Sequence, residues 1–281
     1  MIIKEALRLA AKKLSGVAQR PLFEAEILLS NILKQDRVYL HLHNEEVLEE
    51  KLLNIFLKDI EKRAQNYPVE YITKRVSFYS EEFYIEEGVL IPRPETELLI
   101  DKVLENVNLD EKVTVAEIGV GSGVISIILA KKLKNARFIA TDISKKAIEV
   151  TKINLKNHSV EERVDLRNCS LLDCVEEKVD IIVSNPPYIA KDFKLDKNVL
   201  FEPEEALFGG ERGDELLKRI IDIALLKEAK LLICEMGYDQ KESLKRYCEK
   251  KGLKPKFYKD LAGLDRGFVL KTDNYNLKEI S

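Results

Sequence analysis

Residues 113–123 read Val113-Thr114-Val115-Ala116-Glu117-Ile118-Gly119-Val120-Gly121-Ser122-Gly123. A short apolar run of strand length enters a turn with glycine at alternate positions, and Ile125, Ile128 and Leu129 then carry helical spacing. Downstream the alternation of strand and helix repeats. Strands are expected at 113–118, 137–141, 164–167, 179–184, 230–235, 255–258 and 267–271. Helical segments between the earlier ones predict an α/β fold, a mostly parallel, doubly wound seven-stranded sheet. Only a short connection joins the last two strands, so they are expected to pair antiparallel as a hairpin.

Upstream the character differs. Leu7, Ala11 and Leu14, then Ala25, Leu28, Leu29 and Ile32, then Leu53, Phe56 and Ile60 repeat at helical spacing, which predicts a small helical bundle. Residues 76–92 alternate around Phe78, Phe83 and Ile85 as a β-hairpin would. Pro92-Arg93-Pro94-Glu95-Thr96-Glu97 then opens a helix over 98–107, with proline and acidic residues in its first turn. The expected domains are therefore a helical unit over 1–75, a hairpin linker over 76–92 and an α/β domain over 93–281. Two domains suit 281 residues.

Composition excludes several classes. With 45% apolar and 34% charged residues and a net charge of −3, the chain reads as an ordinary soluble globular protein without a polyanion-binding surplus. Residues 1–85 carry 13 Lys/Arg against 13 Asp/Glu, so the helical unit hides none either. No signal peptide or membrane span is read, which points to the cytoplasm. Cys169, Cys174, Cys234 and Cys248 lack paired zinc spacing. Cys169 and Cys174 flank an apolar turn and Cys234 lies inside an apolar run, so reduced core cysteines are expected. His41 and His43 stand beside solvated glutamates, and no metal site is expected.

Two further motifs carry chemistry. The fourth strand runs into Ser184-Asn185-Pro186-Pro187-Tyr188, where an open α/β sheet holds its ligands. Consecutive prolines stiffen this loop and remove two backbone donors. It offers acceptors, on Asn185 and the Pro186 carbonyl, beside the flat ring of Tyr188, which suits a planar group bearing NH2. The second strand ends at Asp142, 19 residues beyond Gly123, where a carboxylate would meet a ribose diol. A nucleoside cofactor follows, with NAD the alternative to S-adenosylmethionine. The tight glycine spacing headed by Glu117 looks like the S-adenosylmethionine-binding loop of the common α/β methyltransferases. In such enzymes the segment after the third strand, here around Ser170, covers the adenine.

Taken in order, Ile91-Pro92-Arg93-Pro94-Glu95-Thr96-Glu97, the glycine turn, Ser184 to Tyr188, Phe201-Glu202-Pro203 and Gly209-Gly210 resemble the bacterial release-factor glutamine methyltransferases, the PrmC/HemK family. Glu235-Met236-Gly237 with Gln240 and Lys259-Asp260-Leu261-Ala262-Gly263 agree, so the match spans essentially the whole chain. The resemblance implies a Rossmann-like domain that moves a methyl group from S-adenosylmethionine to the glutamine N5 in the Gly-Gly-Gln loop of class I release factors. It implies cofactor contacts at Glu117, Gly119, Val120, Gly121, Ser122 and Gly123, and further ones at Asp142, Ser170 and Asn185. Asn185, Pro186, Pro187 and Tyr188 would take the substrate amide, with Asn185, Pro186 and Tyr188 acting in catalysis. The helical unit would recognise the release factor, and the enzyme would work as a monomer without touching nucleic acid. Arg93 and Glu95 would brace the hairpin or meet substrate. The rival reading is a methyltransferase for an exocyclic amine of adenine or guanine, which the same Asn-Pro-Pro-Tyr loop serves. Lys74 and Ser80 depart from the family's frequent glycines, and Arg212-Gly213-Asp214 from its Asp-Gly-Leu.

Overall fold

The computed structural model describes residues 1–272; the remainder of the expected 93–281 domain lies outside the described residues. The chain divides into two compact units, Met1–Arg75 with Leu195–Phe201, and Val76–Lys194 with the chain from Glu202 onward.

The first unit is helical: α1 (Ile3–Leu14), α2 (Pro21–Leu33), α3 (Arg37–Leu42), α4 (Glu50–Ala64) and α5 (Val69–Thr73). Pro21 starts α2 where a missing N–H costs nothing. Ile3, Leu7, Leu14, Leu28, Leu29 and Phe56 form its core. The buried Arg63 guanidinium donates to Glu24 at 2.6 Å, so its charge is paired. Phe201 returns to this unit and sets its ring edgewise on Tyr67, centroids 5.2 Å apart.

The second unit opens with a two-stranded sheet, β1 (Arg75–Phe78) and β2 (Glu81–Tyr84). Lys74 and Ser80, both glycine-replacing departures, adopt φ of 58° and 61°. Each holds a left-handed backbone at a cost of about 1–2 kcal/mol for a residue with a Cβ. Asn154 clamps the hairpin by accepting from Tyr84 N at 2.7 Å and donating to Tyr84 O at 2.9 Å.

Then follow α6 (Glu97–Asn106), β3 (Thr114–Ile118), α7 (Val124–Lys132), β4 (Arg137–Asp142), α8 (Lys145–Asn157), β5 (Val164–Asn168), β6 (Ile181–Ser184), β7 (Ile189–Ala190), β8 (Phe208–Gly210), α9 (Glu215–Leu226), β9 (Leu231–Glu235), α10 (Lys241–Glu249), β10 (Lys256–Lys259) and β11 (Asp265–Lys271). The main sheet has seven strands in the order β10-β11-β9-β6-β3-β4-β5. β3 runs parallel to β4 and β6, β4 to β5, and β6 to β9, whereas β11 lies antiparallel to both β9 and β10. The central strands β6 and β9 read as near-continuous apolar runs because both faces are covered, whereas the edge strands β5 and β10 alternate with charged residues. Leu99 of α6, Ile128 of α7 and Leu155 of α8 fill one core, while Leu217 and Ile221 of α9 and Leu244 of α10 fill the other. Phe138 and Phe268, each fully buried, contribute about 1.5–3 kcal/mol apiece by leaving water.

Candidate active site

The chain moves outward from β3 to β4 and β5, then crosses back to place β6 on the other flank of β3. Such a reversal of strand order opens a crevice beyond the carboxyl ends of the strands. A cavity of about 290 Å³ lies there, and Gly119, Asp142, Ser170, Asn185, Pro186 and Pro187 all line it.

Gly119 has φ of 74°, and a Cβ built on it would meet no atom within 4 Å. A side chain there would be strained and would fill cavity, so glycine keeps both the turn and the space. The turn is held from behind, where Thr151 donates to Gly121 O at 2.9 Å and Asn154 to Ser122 O at 2.8 Å. Val120 is buried in the first core, Ser122 is buried, and Gly123 packs against Thr151 and Ile127. These three support the turn and do not line the cavity.

Asp142 ends β4. Its Oδ2 accepts from Gly121 N at 2.9 Å and its Oδ1 from Ser144 N at 2.8 Å. Burial lifts its carboxyl above the usual range, the two backbone donors pull it back, and the nearby charge of Glu205 lifts it again. Each carboxylate oxygen keeps a lone pair for a further donor. Thr141 donates to Leu171 O at 2.6 Å, which brings the Ser170-Leu171 segment onto the cavity.

Glu117 turns away from the cavity and is buried. Its Oε2 accepts from the N–H and the hydroxyl of Ser126, while Oε1 has no partner. Burial pushes its carboxyl up to about 8, against the two Ser126 bonds and with the charge of Asp142 adding to the rise. A raised pKa means that the folded protein holds a proton the unfolded chain has lost. The contribution is whole below 4.5, the unfolded value, and disappears as pH rises through about 8. Glu117→Gln is therefore expected to flatten the decline in thermal midpoint across that window. Scans of both proteins with the same slope against pH would show Glu117 already ionised in the fold.

On the other flank, Ser184 donates to Ile118 O at 2.7 Å and pins the start of the Asn-Pro-Pro-Tyr loop to β3. Asn185 Nδ2 donates to Thr96 Oγ1 at 3.0 Å, and Thr96 Oγ1 donates to Glu235 at 2.7 Å. Tyr188 does not line the cavity. Its ring packs against the second core and its hydroxyl donates to Glu235 at 3.0 Å. Gln240 Nε2 donates to Tyr188 O at 2.7 Å. A side chain at Gly213 would run into that same carbonyl oxygen, so the departing Arg212-Gly213-Asp214 segment keeps its glycine where contact demands it. Glu202 accepts from Ile91 N at 2.9 Å and from Arg93 at 2.5 Å, so Arg93 is engaged in bracing the chain ahead of α6.

Thr96, Glu235 and Gln240 thus gather around the loop and Glu202 braces the chain ahead of α6, although sequence reading gave none of them a role. Their signal was their presence inside the motifs that carry the family resemblance. The cysteine expectation needs correcting. Cys169 and Cys174 are joined by a disulfide, with Cα atoms 6.1 Å apart. The turn between them, with Leu171 at φ of 49° and Asp173 N donating to Ser170 O at 2.9 Å, folds the two ends together. Cys234 and Cys248 are free and buried, and burial pushes both thiols up.

The fold and this crevice define a Rossmann-like methyltransferase. Residues 94–205 match the family described as "Methyltransferase small domain", and residues 5–73 match the "PrmC N-terminal domain". The release factor glutamine methyltransferase of Clostridium acetobutylicum is 38% identical over 95% of this chain and 97% of its own length. That of Aquifex aeolicus is 36% identical over 86% and 88%. This chain belongs to the release factor glutamine methyltransferase family. Two solved structures share its fold: a methyltransferase from Pyrococcus furiosus and the ribosomal protein L11 methylase of Lactobacillus delbrueckii subsp. bulgaricus. The first has a TM-score of 0.51 and 18% identity, over 69% of this chain and 89% of that one. The second has a TM-score of 0.50 and 21% identity, over 66% and 83%. Among the described residues no helix is long and apolar enough to cross a membrane.

Proposed function

We propose that this chain transfers a methyl group from S-adenosylmethionine to the side-chain amide nitrogen of the glutamine in the Gly-Gly-Gln motif of class I peptide-chain release factors. The observation that carries the reading is Asn185. It lines the cavity together with Gly119 and Asp142, its NH2 is committed to Thr96, and its Oδ1 has no protein partner among the described residues.

S-adenosylmethionine fits the crevice by the chemistry of its walls. Asp142 offers acceptors to a ribose diol, the Ser170 segment covers the base, and the turn from Glu117 to Gly123 leaves room for the rest. The buried Glu117 carboxyl stays behind that turn, where it holds Ser126 in the first turn of α7. Bound in the crevice, the cofactor supplies an electrophilic methyl group on a positively charged sulfur. The chain's own task is orientation. An amide nitrogen is a weak nucleophile because its lone pair is delocalised into the carbonyl. Asn185 Oδ1 and the Pro186 carbonyl accept the two N–H bonds of the substrate amide and turn the nitrogen toward the methyl group. Preorganised acceptors in a site poor in water supply most of the acceleration. No strong base is needed, because the methylated nitrogen releases its proton readily. Tyr188, tied to Glu235, holds the far end of the loop.

The helical unit is the release-factor recognition surface in this reading. Val38, Leu42 and Val47 are exposed apolar side chains within one short stretch of it, where a partner would cover them. The double change Val38→Glu and Leu42→Glu is expected to lower kcat/KM on an intact release factor roughly tenfold, the scale of one lost interface anchor. Activity on a short Gly-Gly-Gln peptide should hold steady, and equal losses on both substrates would end this division of labour. The reading places the enzyme in the cytoplasm as a monomer, beside the translation machinery it modifies. Labelled S-adenosylmethionine offered with release factor, tRNA and duplex DNA tests the whole: label is expected on the release-factor glutamine. Label on nucleic acid would overturn it in favour of exocyclic-amine methylation, which the balanced charge of residues 1–85 disfavours.

A further inference from the structure

An asparagine amide has nearly the same shape when flipped by half a turn, so a cavity wall alone does not decide whether it presents its oxygen or its NH2. For Asn185 the difference is total. The oxygen accepts an N–H from a substrate amide, while the flipped form would set one donor against another.

The structure contains the group that decides. Glu235 is buried at the carboxyl end of β9, where its Oε2 accepts from Thr96 Oγ1 at 2.7 Å and its Oε1 from Tyr188 Oη at 3.0 Å. An ionised carboxylate only accepts. The single hydroxyl proton of Thr96 is therefore committed to Glu235, and only its oxygen lone pairs remain for Asn185. Lone pairs require a donor, so Asn185 must turn its NH2 toward Thr96, as it does at 3.0 Å, and its Oδ1 the other way. Burial lifts the Glu235 carboxyl above its usual range, the hydroxyls of Thr96 and Tyr188 and the charge of Arg266 pull it back, and the charge of Glu95 lifts it again. The geometry, with both of its oxygens accepting from hydroxyls, is that of the ionised form.

We propose that Thr96 and Glu235 are positioning residues for methyl transfer, which act by locking Asn185 with its oxygen toward the substrate amide. The inference rests on the reading of Asn185 as acceptor of the substrate N–H. The same carboxylate holds Tyr188, so both ends of the Asn-Pro-Pro-Tyr loop are referred to one buried charge. Thr96 arrives from a position 89 residues before Asn185, and Glu235 from 47 residues after Tyr188. The relay therefore joins the entry of α6, the end of β6 and the end of β9.

The test uses the full chain with Thr96→Val, which keeps the shape and loses the hydroxyl, Thr96→Ser, which keeps the hydroxyl, and Glu235→Gln. A glutamine at 235 can donate to Thr96, freeing the hydroxyl proton to face Asn185 and favouring the flipped amide. Thr96→Val and Glu235→Gln are expected to lower kcat on the order of 10- to 100-fold, the scale of a small misplacement in a preorganised site. S-adenosylmethionine affinity by calorimetry should stay within about twofold, since the affected amide faces the acceptor. Thr96→Ser should restore kcat to within a few-fold of wild type. The decisive measurement is made in an Asn185→Ala background, where Thr96→Val should cost almost nothing more, because two residues that act through one another are not additive. Thr96→Val with wild-type kcat, or with its full loss repeated in the Asn185→Ala background, would overturn the relay. The coupling is read on whichever acceptor wild type methylates. A nucleic-acid acceptor with the coupling intact would therefore refute the glutamine reading and leave the relay standing.

Discussion

Asn185→Ala is expected to slow methyl transfer by roughly 100-fold or more, the scale for losing one preorganised polar partner in such a site. The oxygen that receives the substrate N–H is gone, while Gly119, Asp142 and Ser170 still line the cavity. Cofactor affinity is therefore expected to change little. The substitution also strips Thr96 of its donor, and leaving that buried hydroxyl short of a partner costs about 1 kcal/mol of stability. A modest fall in thermal midpoint should accompany the loss of rate without explaining it. Asn185→Asp is the harder case. It keeps an acceptor oxygen but sets a second oxygen against Thr96, whose only proton already belongs to Glu235. The added charge would favour a sulfonium and misplace the amide, so tighter cofactor binding with lost turnover is expected. The assay is single-turnover methylation of a release-factor glutamine, and a wild-type rate for Asn185→Ala would be fatal to the mechanism.

The second large effect lies on the cofactor side. Asp142→Ala is expected to weaken S-adenosylmethionine binding by on the order of 1–3 kcal/mol, the range for hydrogen bonds to a charged group. Part of that loss is indirect, because Asp142 also receives the N–H groups of Gly121 and Ser144 and so shapes the turn it faces. Asp142→Asn separates the two contributions. Its amide keeps one acceptor but presents NH2 to one of those backbone donors, so it should fall between wild type and alanine. Calorimetry is the direct measure, and unchanged affinity in Asp142→Ala would remove this carboxylate from the cofactor's contacts.

The central parallel strands were legible because burial on both faces leaves them as apolar runs with polar or glycine stops, as Ile181–Ser184 before Asn185 illustrates. The turn from Gly119 to Gly123 was legible for a related reason, since glycines at that spacing after a strand have few other uses. The final hairpin was legible from its short connection, but not which of its strands would meet β9, because Phe257 and Phe268 suit either place. Partnerships across long separations left no trace. Thr96 and Glu235 meet over 139 residues and Arg93 and Glu202 over 109, and a single sequence carries no distances. The inward turn of Glu117 was hidden for the opposite reason. Its partner, Ser126, is only nine residues away, but an acidic residue heading a glycine turn looks equally suited to facing a ligand. The Cys169–Cys174 bridge depended on Leu171 adopting a left-handed backbone, which its side chain gives no reason to expect.

The placement of β11 has a consequence for synthesis on the ribosome. Although it is the latest strand in sequence among the described residues, β11 sits inside the sheet, between β9 and β10. While the chain emerges from its N-terminal end, β3, β4, β5, β6 and β9 can assemble, but β9 is left with an open edge carrying Leu231, Leu232 and Ile233. β10 cannot cover that edge, because it joins the sheet only through β11. A nascent chain halted between Glu235 and Asp265 is therefore expected to display an unpaired apolar strand, a template for wrong pairing with other chains. Closure of this flank is expected to wait for Asp265–Lys271, and the open edge of β9 persists from the synthesis of Glu235 until that strand is free to pair.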